Sequence, residues 1–489
     1  MQIPPSHRTS ADRGASGLEL APFRGVRYVP DRVSGLADVT SPPYDVIFAD
    51  NEDQLMAADP HNVVRLILPR PVPGKPGEEY ADAAAVLRTW LAERILVPDP
   101  VPALYVYEQA VAGDGAAASE LGQRIIQRGL IGCLRLVPAD AGIVLPHEDV
   151  SPGPVAGRLQ LMEATQANLE PIFLLYDGDA SGRPGLVDGA SLGDGASLGD
   201  RAGEPGAGRA RDVAGGRSGG AASRIVTRTA TEAPLVEALT ADGLRHRLWA
   251  ITDADDLTGI AADLAPRQAL IADGHHRYAA YLKLAQRRRL AGDGAGPWDY
   301  GLALLVDSSL YPPRIGAIHR VIHGLDVAQA AKLAGAAFEV QALPGGAADV
   351  AAAEAALAAA SALGPAFVLA GAEGAYLISH PDPAQADAAM PPGASPQWRA
   401  LPAAIVQELL ISRIWHLTDD DATVTVVHHD AAAAIRAARA AEGTAVLCSP
   451  MTPAQVYAVA ARGEKVPRKS TSFAPKPRTG LLLRTFAQG

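Results

Sequence analysis

Cysteine is nearly absent from this sequence. Cys133 and Cys448 are the only two among 489 residues, and two cysteines can build neither a disulfide framework nor a cysteine-rich zinc site. Such sparing use of cysteine indicates a reducing compartment. We therefore predict that the protein is cytoplasmic and that both thiols lie in its core.

Long apolar runs and an excess of basic residues are also absent. No run reaches the roughly 18 apolar residues that indicate a membrane-spanning helix, and the N-terminus lacks the apolar segment of a secretory signal. The formal net charge is −11 at pH 7. Because DNA-binding proteins normally present a basic surface to phosphates, this charge disfavours a nucleic-acid partner. The sequence leaves the oligomeric state open.

The common nucleotide-binding and hydrolase motifs are missing as well. The sequence has no P-loop, no GxGxxG motif that opens a helix, no HExxH motif and no GxSxG motif. A functional site must therefore be sought in less familiar combinations of residues.

Strand-like and helix-like segments alternate along most of the chain. We predict strands at 62–68, 103–107, 246–251, 269–272, 301–306, 366–369 and 445–447, and helices at 80–96, 233–241, 254–265, 278–290, 328–337 and 349–362. This alternation predicts an α/β fold, with an α+β arrangement left open.

Composition divides the chain into five parts. We predict a disordered leader at 1–20, an α/β part at 21–177, a disordered Gly/Ala-rich insertion at 178–223, a central part at 224–325, and a C-terminal α/β part at 326–489 that ends in a basic, proline-rich tail. The insertion contains a tandem repeat and too little apolar surface to offset its ordering entropy.

The most informative segment is the turn DGHHRY at 273–278, between a predicted strand and a predicted helix. Gly274 permits close backbone approach, and the start of the helix offers free N–H groups and a positive dipole end. Arg277 adds a planar guanidinium group that suits phosphate oxygens. This combination predicts a phosphate-binding turn. The alternative is a polar helix cap with exposed histidines.

Polar side chains in the same turn could carry the chemistry. His275 and His276 can donate hydrogen bonds, carry a proton or attack phosphorus. Asp273 is placed to orient an imidazole ring or to hold a cation. We therefore take Asp273, His275 and His276 as candidate catalytic residues.

Three other segments are weaker candidates. In LPHE (145–148), His147 and Glu148 could form a proton-transfer pair or bind a metal ion, although a surface loop is an equal alternative. In SPPYDV (41–46), two prolines could present Tyr44 and Asp45 rigidly, or simply form a turn at the start of a domain. The tail segment RKSTSFAPK (468–476) could form an anion pocket, or a solvated basic tail.

These segments, together with RGLIG at 128–132, occur in an order that resembles the prokaryotic family called domain of unknown function 1015 (DUF1015). The resemblance covers roughly 23–483, apart from the predicted insertion. The order of the five segments makes this resemblance specific, but the family name carries little biochemistry.

A narrower resemblance links GHHRYAA (274–280) to the strand-to-helix turn of the ParB/sulfiredoxin fold. It implies a ParB-like central part that grips nucleotide phosphates, with Arg277 as a phosphate contact. His275 stands where sulfiredoxin has its reactive cysteine, so the resemblance does not imply sulfinic-acid chemistry. The basic DNA-binding helical domain of ParB is not evident in this sequence.

Free serine kinases also use a ParB-like fold, which implies a phosphatase or phosphotransferase acting on a small phosphorylated metabolite such as phosphoserine. Mg²⁺, a nucleotide or both would serve as cofactors, and the identity of any metal ion stays open. The predicted site residues are His275, His276, Asp273, His147 and Glu148 for catalysis, Gly274, Arg277, Lys476, Ser470 and Thr471 for phosphate binding, and Tyr44, Asp45 and Arg128 for substrate binding. Two alternatives remain: a non-catalytic nucleotide-binding switch, and a structural or interaction protein, which would be favoured if the segments lay far apart.

Overall fold

A computed structural model describes residues 17–111, 124–179 and 219–487. The predicted mixed α/β fold is confirmed. The strands are β1 (Leu20–Ala21), β2 (Val26–Tyr28), β3 (Leu96–Pro98), β4 (Leu104–Val111), β5 (Arg124–Arg135), β6 (Val144–Leu145), β7 (Ala167–Asn168), β8 (Ile172–Tyr176), β9 (Val236–Leu239), β10 (Leu244–Ile251), β11 (Ala269–Asp273), β12 (Tyr300–Asp307), β13 (Arg314–Ile315), β14 (Ile318–Ile322), β15 (Glu339–Ala342), β16 (Ala366–Gly371), β17 (Gly374–Ser379), β18 (Val424–His428), β19 (Thr444–Cys448), β20 (Phe473–Ala474) and β21 (Arg484–Thr485).

Helices surround these strands. The α-helices are α1 (Ala49–Ala58), α2 (Val64–Ile67), α3 (Glu78–Ala92), α4 (Pro152–Thr165), α5 (Ala221–Thr229), α6 (Ala254–Leu264), α7 (His275–Ala291), α8 (Val327–Ala334), α9 (Val350–Ser361), α10 (Pro383–Ala389), α11 (Pro396–Arg399), α12 (Pro402–Ala404), α13 (Ala431–Ala440) and α14 (Pro453–Ala460). A π-helix spans Ile405–Ile414. In the part of the chain that the structure describes, no helix combines the length and apolar character needed to cross a membrane.

The first large sheet has nine strands, in the order β6-β11-β8-β12-β5-β4-β10-β9, with β1 also paired to β5. β11 runs parallel to β6, and β8 runs parallel to β12. Every residue of β8 and β11 is buried, as expected for strands covered on both faces. This sheet provides the rigid frame of the candidate site.

The second large sheet has six strands, in the order β15-β17-β16-β19-β14-β18. All its pairs are antiparallel. Helices α8, α9 and α13 pack against it. Of the two cysteines, Cys133 lies buried in β5, as predicted, whereas Cys448 at the end of β19 is only half-buried.

Several predicted elements differ from the observed ones. The predicted strand at 62–68 is instead the short helix α2, because a short, fully buried apolar run has no period that separates strand from helix. The predicted helix at 233–241 contains β9, whose residues alternate between buried and exposed. Leu18 and Leu20 are buried, so the predicted disordered leader is wrong for 17–20, and 1–16 lie outside the described residues.

The predicted insertion at 178–223 falls largely outside the described residues, but its two ends are fixed. Asp179 pairs with Gly219 in a β-bridge, and the N–H of Gly220 donates to the carbonyl of Gly178 at 2.7 Å. Ser223 is buried within α5, so the predicted insertion extends too far at its C-terminal end.

Because its ends are neighbours, we expect that 180–218 can be replaced by two glycines without loss of the fold. Shortening a loop between fixed ends changes the closure entropy only slightly. The melting temperature should stay within about 2 °C of the wild-type value, which corresponds to roughly 2 kcal/mol for a chain of this size. Loss of cooperative thermal unfolding in the deletion variant would show that the segment contributes to the folded core.

Candidate functional site

The parallel pair β6 and β11 brings two of the predicted segments together. Val144 pairs with Ala269, and Leu145 pairs with Leu270. The residues that follow β6 therefore run beside the end of β11, since the carboxyl ends of parallel strands meet at one edge of a sheet. This register places the LPHE segment next to the DGHHRY turn.

Gly274 makes the turn from β11 into α7. Its φ of +93° lies in the left-handed region, which glycine adopts without the penalty that other residues incur. A Cβ atom at this position would lie 2.9 Å from Cγ2 of Ile172. The predicted strand, glycine turn and helix are all observed, and the helix begins at His275.

We expect Gly274→Ala to lower the free energy of unfolding by about 2 kcal/mol or more, because it combines left-handed backbone strain with this contact. Gly292→Ala is the matched control. Gly292 ends the same helix with a φ of +86°, but nothing lies within 4 Å of its would-be Cβ. Chemical denaturation should give a smaller loss for the control, and equal losses would contradict the predicted contact with Ile172.

Two histidines form the buried floor of the site. His147 is fully buried and His275 is 6% exposed, and their rings meet edge to face with centroids 4.5 Å apart. The backbone N–H of His147 donates to Nε2 of His275 at 3.3 Å. Burial lowers the pKa of His147 to about 3 and lowers the pKa of His275 well below its ordinary value. Both rings are therefore neutral at neutral pH.

Glu148 lies above these rings and reaches solvent. Its carboxylate is 3.6 Å from Nδ1 of His275 and 3.7 Å from Nε2 of His147, and it accepts a hydrogen bond from the hydroxyl of Thr471. Its side chain is 34% exposed. Burial of the carboxyl group raises the pKa of Glu148, which makes it a stronger base than an ordinary glutamate.

His147, Glu148 and His275 could also hold a metal ion, since one ligand atom from each lies within 4.8 Å of the others. The hydrogen bonding favours another role. Because Nε2 of His275 accepts the backbone N–H of His147, the proton of this neutral ring sits on Nδ1, which faces Glu148. The arrangement therefore suits proton transfer through Glu148 better than metal binding.

Beside Glu148, two carboxylates share two cations. Lys476 Nζ lies 2.6 Å from Asp273 Oδ1 and 2.8 Å from Asp45 Oδ2. Arg277 Nη2 lies 2.5 Å from Asp273 Oδ2. This cluster joins the tail, the turn and the 41–46 segment in one network.

The pKa values of the two carboxyl groups in this cluster are shifted in opposite directions. Burial, reinforced by Asp45, raises the pKa of Asp273. Burial also acts to raise the pKa of Asp45, but Lys476 and Arg277 outweigh it, so that this pKa falls below its ordinary value. For Lys476, the two carboxylates outweigh the opposing effect of burial and raise the pKa. The ammonium group therefore stays charged.

Arg277 is committed to protein partners. It is 4% exposed, its Nη1 donates to the carbonyl of Pro171 at 2.7 Å, and the same nitrogen lies 4.0 Å from Glu170. Burial acts to lower the pKa of Arg277, but Glu170 and Asp273 outweigh it and raise the pKa. Any phosphate at Arg277 must compete with these partners, so direct phosphate contact stays a prediction.

Tyr44 packs beside this arginine. The guanidinium carbon of Arg158 lies 4.1 Å from the centre of the Tyr44 ring, and that of Arg277 lies 5.9 Å away. The backbone N–H of Tyr44 donates to Glu170 at 3.0 Å, and Arg158 lies 3.7 Å from Glu170. Sequence analysis missed Glu170 and Arg158, because they lie in no motif. Glu170 lies between β7 and β8 and Arg158 lies in α4, so their approach depends on tertiary packing.

The tail is anchored across the strand ends. Lys465 Nζ donates to the carbonyl of Pro146 at 2.8 Å, and the N–H of Val466 donates to the carbonyl of His147 at 2.9 Å. Ser470 is buried, and its hydroxyl donates to the carbonyl of Pro467 at 2.6 Å. The segment 470–476 is therefore ordered beside the strand ends, and the solvated alternative is wrong for it, whereas Arg468 and Lys469 are exposed.

His276 makes a different contact from His275, although it lies close enough to Asp45, Asp273 and Arg277 for their charges to act on its pKa. His276 is half-buried, and its Nε2 accepts the N–H of Ser151 at 3.1 Å, which directs it toward the start of α4. Burial lowers its pKa.

Arg128 lies in β5, three strands from β11. Its Nε donates to Glu108 at 2.7 Å. The strand register places Arg128 about 14 Å across the sheet and about 10 Å along the strands from Asp273. The structure does not bring Arg128 to the other predicted residues.

A family model described as a protein of unknown function, DUF1015, matches residues 20–188 and 216–404. The chain belongs to the DUF1015 family. This confirms the family that the five ordered segments predicted. The segment 189–215, inside the predicted insertion, and the tail segment 470–476 lie outside the matched residues.

None of the curated proteins matches this DUF1015 protein. Among solved structures it is similar to a free serine kinase variant in complex with AMP, with 13% identity, a TM-score of 0.31, and coverage of 69% of this chain and 86% of the kinase. A kinase variant with ADP gives 12% identity, a TM-score of 0.30, and coverage of 69% and 86%. SbnI from Staphylococcus aureus, with a C-terminal truncation, gives 10% identity, a TM-score of 0.30, and coverage of 70% and 83%. At these values the function must be argued from the site itself.

Proposed function

We propose that this DUF1015 protein catalyses phosphoryl transfer between a nucleotide and the hydroxyl group of a small metabolite, with serine and phosphoserine as the first substrates to test. Hydrolysis of the same phosphomonoester, a phosphatase reaction, is the variant in which water replaces the metabolite. The observation that carries the proposal is the convergence, at one edge of the sheet, of a carboxylate base, a charged lysine and the start of a 17-residue helix.

In the proposed site, the phosphate lies at the start of α7, near Gly274 and Lys476. The unpaired N–H groups and dipole of a helix start favour an anion there. Glu148 accepts the proton of the attacking hydroxyl, because its raised pKa and exposure suit a general base. The buried, neutral histidines His147 and His275 hold this carboxylate from below.

A divalent cation such as Mg²⁺ is part of the proposal. Asp45 and Asp273 already neutralise Lys476 and Arg277, so a bound phosphate would find little excess positive charge. Asp45 and Asp273 are the carboxylates that would hold the ion, which would neutralise charge on the phosphate oxygens. Tyr44 and Asp45 remain candidate substrate contacts, whereas the location of Arg128 removes it from the proposed site.

The test is a transfer assay with purified protein and Mg²⁺. Serine would be incubated with ATP or ADP, and phosphoserine would be incubated alone, while phosphoserine and inorganic phosphate are measured. Lys476→Met should raise KM for the phosphorylated substrate at least about tenfold, since a charge-assisted contact contributes roughly 1.5 to 3 kcal/mol.

The matched control is Lys469→Met, because Lys469 lies in the same tail but pairs with Asp421 at the surface. Absence of turnover throughout this panel would contradict the enzyme proposal. If nucleotides then still raised the melting temperature, and Lys476→Met abolished that shift, the non-catalytic switch would take its place.

A further inference from the structure

One hydroxyl group, that of Thr471, lies directly against the proposed base. It donates a hydrogen bond to Oε1 of Glu148, and its oxygen lies 3.0 Å from Nε2 of His147. Both contacts can form at once if His147 donates to the oxygen while Thr471 donates to the carboxylate. Thr471 is half-buried, so its hydroxyl is not sealed inside the core.

The neighbouring hydroxyls are placed differently. Ser470 is buried, and its hydroxyl donates to the carbonyl of Pro467. The hydroxyl of Ser472 lies 3.0 Å from Nε2 of His429. Of these three tail hydroxyls, Thr471 is therefore the one whose hydrogen-bond acceptor is a carboxylate, the type of group that can remove its proton.

Thr471 is also held firmly. On one side, the tail is anchored through Val466 and His147. On the other, Phe473 packs against the His147 ring with centroids 5.5 Å apart, and Lys476 is fixed between Asp45 and Asp273. A nucleophile held on both sides in this way loses little entropy when it reaches the attack geometry.

From this arrangement we infer that Thr471 is a phosphoryl acceptor, and that the protein carries phosphothreonine at this position after it meets a nucleoside diphosphate or triphosphate. The inference rests on the proposed function, because the same phosphate site must present the donor. It adds a covalent acceptor on the protein itself, which neither direct transfer to a metabolite nor direct hydrolysis requires.

The step balances as a substitution at phosphorus. A bond forms between Oγ1 of Thr471 and the terminal phosphorus of the nucleotide, and the bond from that phosphorus to the bridging oxygen breaks. The electron pair leaves with the shortened nucleotide, whose charge Lys476 stabilises. The threonine proton passes to Glu148. In a second substitution, a metabolite hydroxyl attacks the same phosphorus, the bond from that phosphorus to Oγ1 of Thr471 breaks, the proton held by Glu148 returns to that oxygen, and the proton of the attacking hydroxyl is released to solvent. Attack by water in place of the metabolite gives inorganic phosphate.

The experiment uses the full chain with Mg²⁺ and either ATP labelled with ³²P at the γ position or ADP labelled at the β position. Retained label is measured after acid and after base, and the labelled peptide is identified by mass spectrometry. Phosphothreonine survives acid, whereas phosphohistidine does not, and an acyl phosphate on a carboxylate is cleaved by hydroxylamine. We expect acid-stable label at residue 471.

Three variants sharpen the test. Thr471→Val should lose at least nine-tenths of the acid-stable label. Thr471→Ser should keep the acid-stable label, as phosphoserine at the same position. This variant tests the inference even if the valine variant fails to fold. Ser472→Ala, the matched control, should retain the wild-type label within twofold.

Acid-labile label, or label at Ser472, would overturn the inference. So would wild-type turnover by Thr471→Val without any label at residue 471, and in that case the proposed function would survive. Absence of both label and turnover would reject the two proposals together.

Discussion

Replacing Glu148 with Gln is expected to lower kcat for phosphoryl transfer by about a hundredfold or more, while KM stays close to the wild-type value. General-base catalysis contributes about 10²- to 10⁴-fold, and the amide oxygen can still accept the Thr471 hydrogen bond but cannot take up a proton. Steady-state kinetics of the variant and the wild type would measure the effect.

The pH profile provides an independent readout of the same residue. Only the ionised carboxylate can accept a proton, so activity should fall as pH drops through the pKa of Glu148. Burial raises this pKa above the ordinary value, which moves the loss of activity to higher pH. Glu148→Gln should lack this acidic limb. A variant that keeps wild-type kcat and the limb would remove Glu148 from the mechanism.

Glu163→Gln is the matched control for this substitution. The Glu163 side chain has the same 34% exposure as that of Glu148, and it pairs with Arg287 at 2.9 Å on the surface. Because exposed ion pairs contribute about 1 kcal/mol or less, we expect the control to retain wild-type kinetics and stability.

Asp273→Asn is expected to cause the largest loss of stability, about 3 kcal/mol. The substitution removes the charge that Arg277 and Lys476 share, and it leaves a guanidinium group that is only 4% exposed with a weakened set of partners. Removing one member of a buried ion pair costs roughly 3 to 5 kcal/mol. Urea denaturation monitored by circular dichroism would measure the free energy of unfolding.

Asp263→Asn provides a comparison with the same spacing. Asp263 and Arg267 are four residues apart, like Asp273 and Arg277, and their charged atoms lie 2.7 Å apart in a more exposed setting. We expect a loss of about 1 kcal/mol for this variant. Similar losses for the two substitutions would mean that Glu170 and Pro171 alone satisfy Arg277.

The DGHHRY turn could be predicted from sequence because its information is local. A buried apolar strand, a glycine and a helix-forming segment follow one another without interruption, and each has its own signal. The structure places that glycine in the left-handed conformation and starts the helix at the next residue. Predictions failed where the local signal was weak. The apolar run at 62–68 has no hydrophobic period that separates a strand from a helix, and it forms α2.

The sequence could not predict which protein groups bind the guanidinium group of Arg277. From the sequence alone, a guanidinium group after a glycine turn suits a phosphate. Whether it is available to a phosphate depends on Asp273, Pro171 and Glu170, and tertiary packing brings these residues to it. Arg128 shows the same limit, since its partner Glu108 faces it across β4 and β5. Sequence order alone could not separate this sheet-bound arginine from the residues that converge.

The tail that completes the site is separated from its partners by most of the chain. Lys476 and Asp45 are 431 positions apart, and Thr471 and Glu148 are 323 apart. A nascent chain that ended before residue 465 would contain every strand of both large sheets, yet it would lack both the ammonium group and the hydroxyl. Loss of this stretch would remove the proposed chemistry, and it would also remove buried core residues such as Leu481, Leu482 and Leu483, so the end of the chain serves both the site and the packing around it.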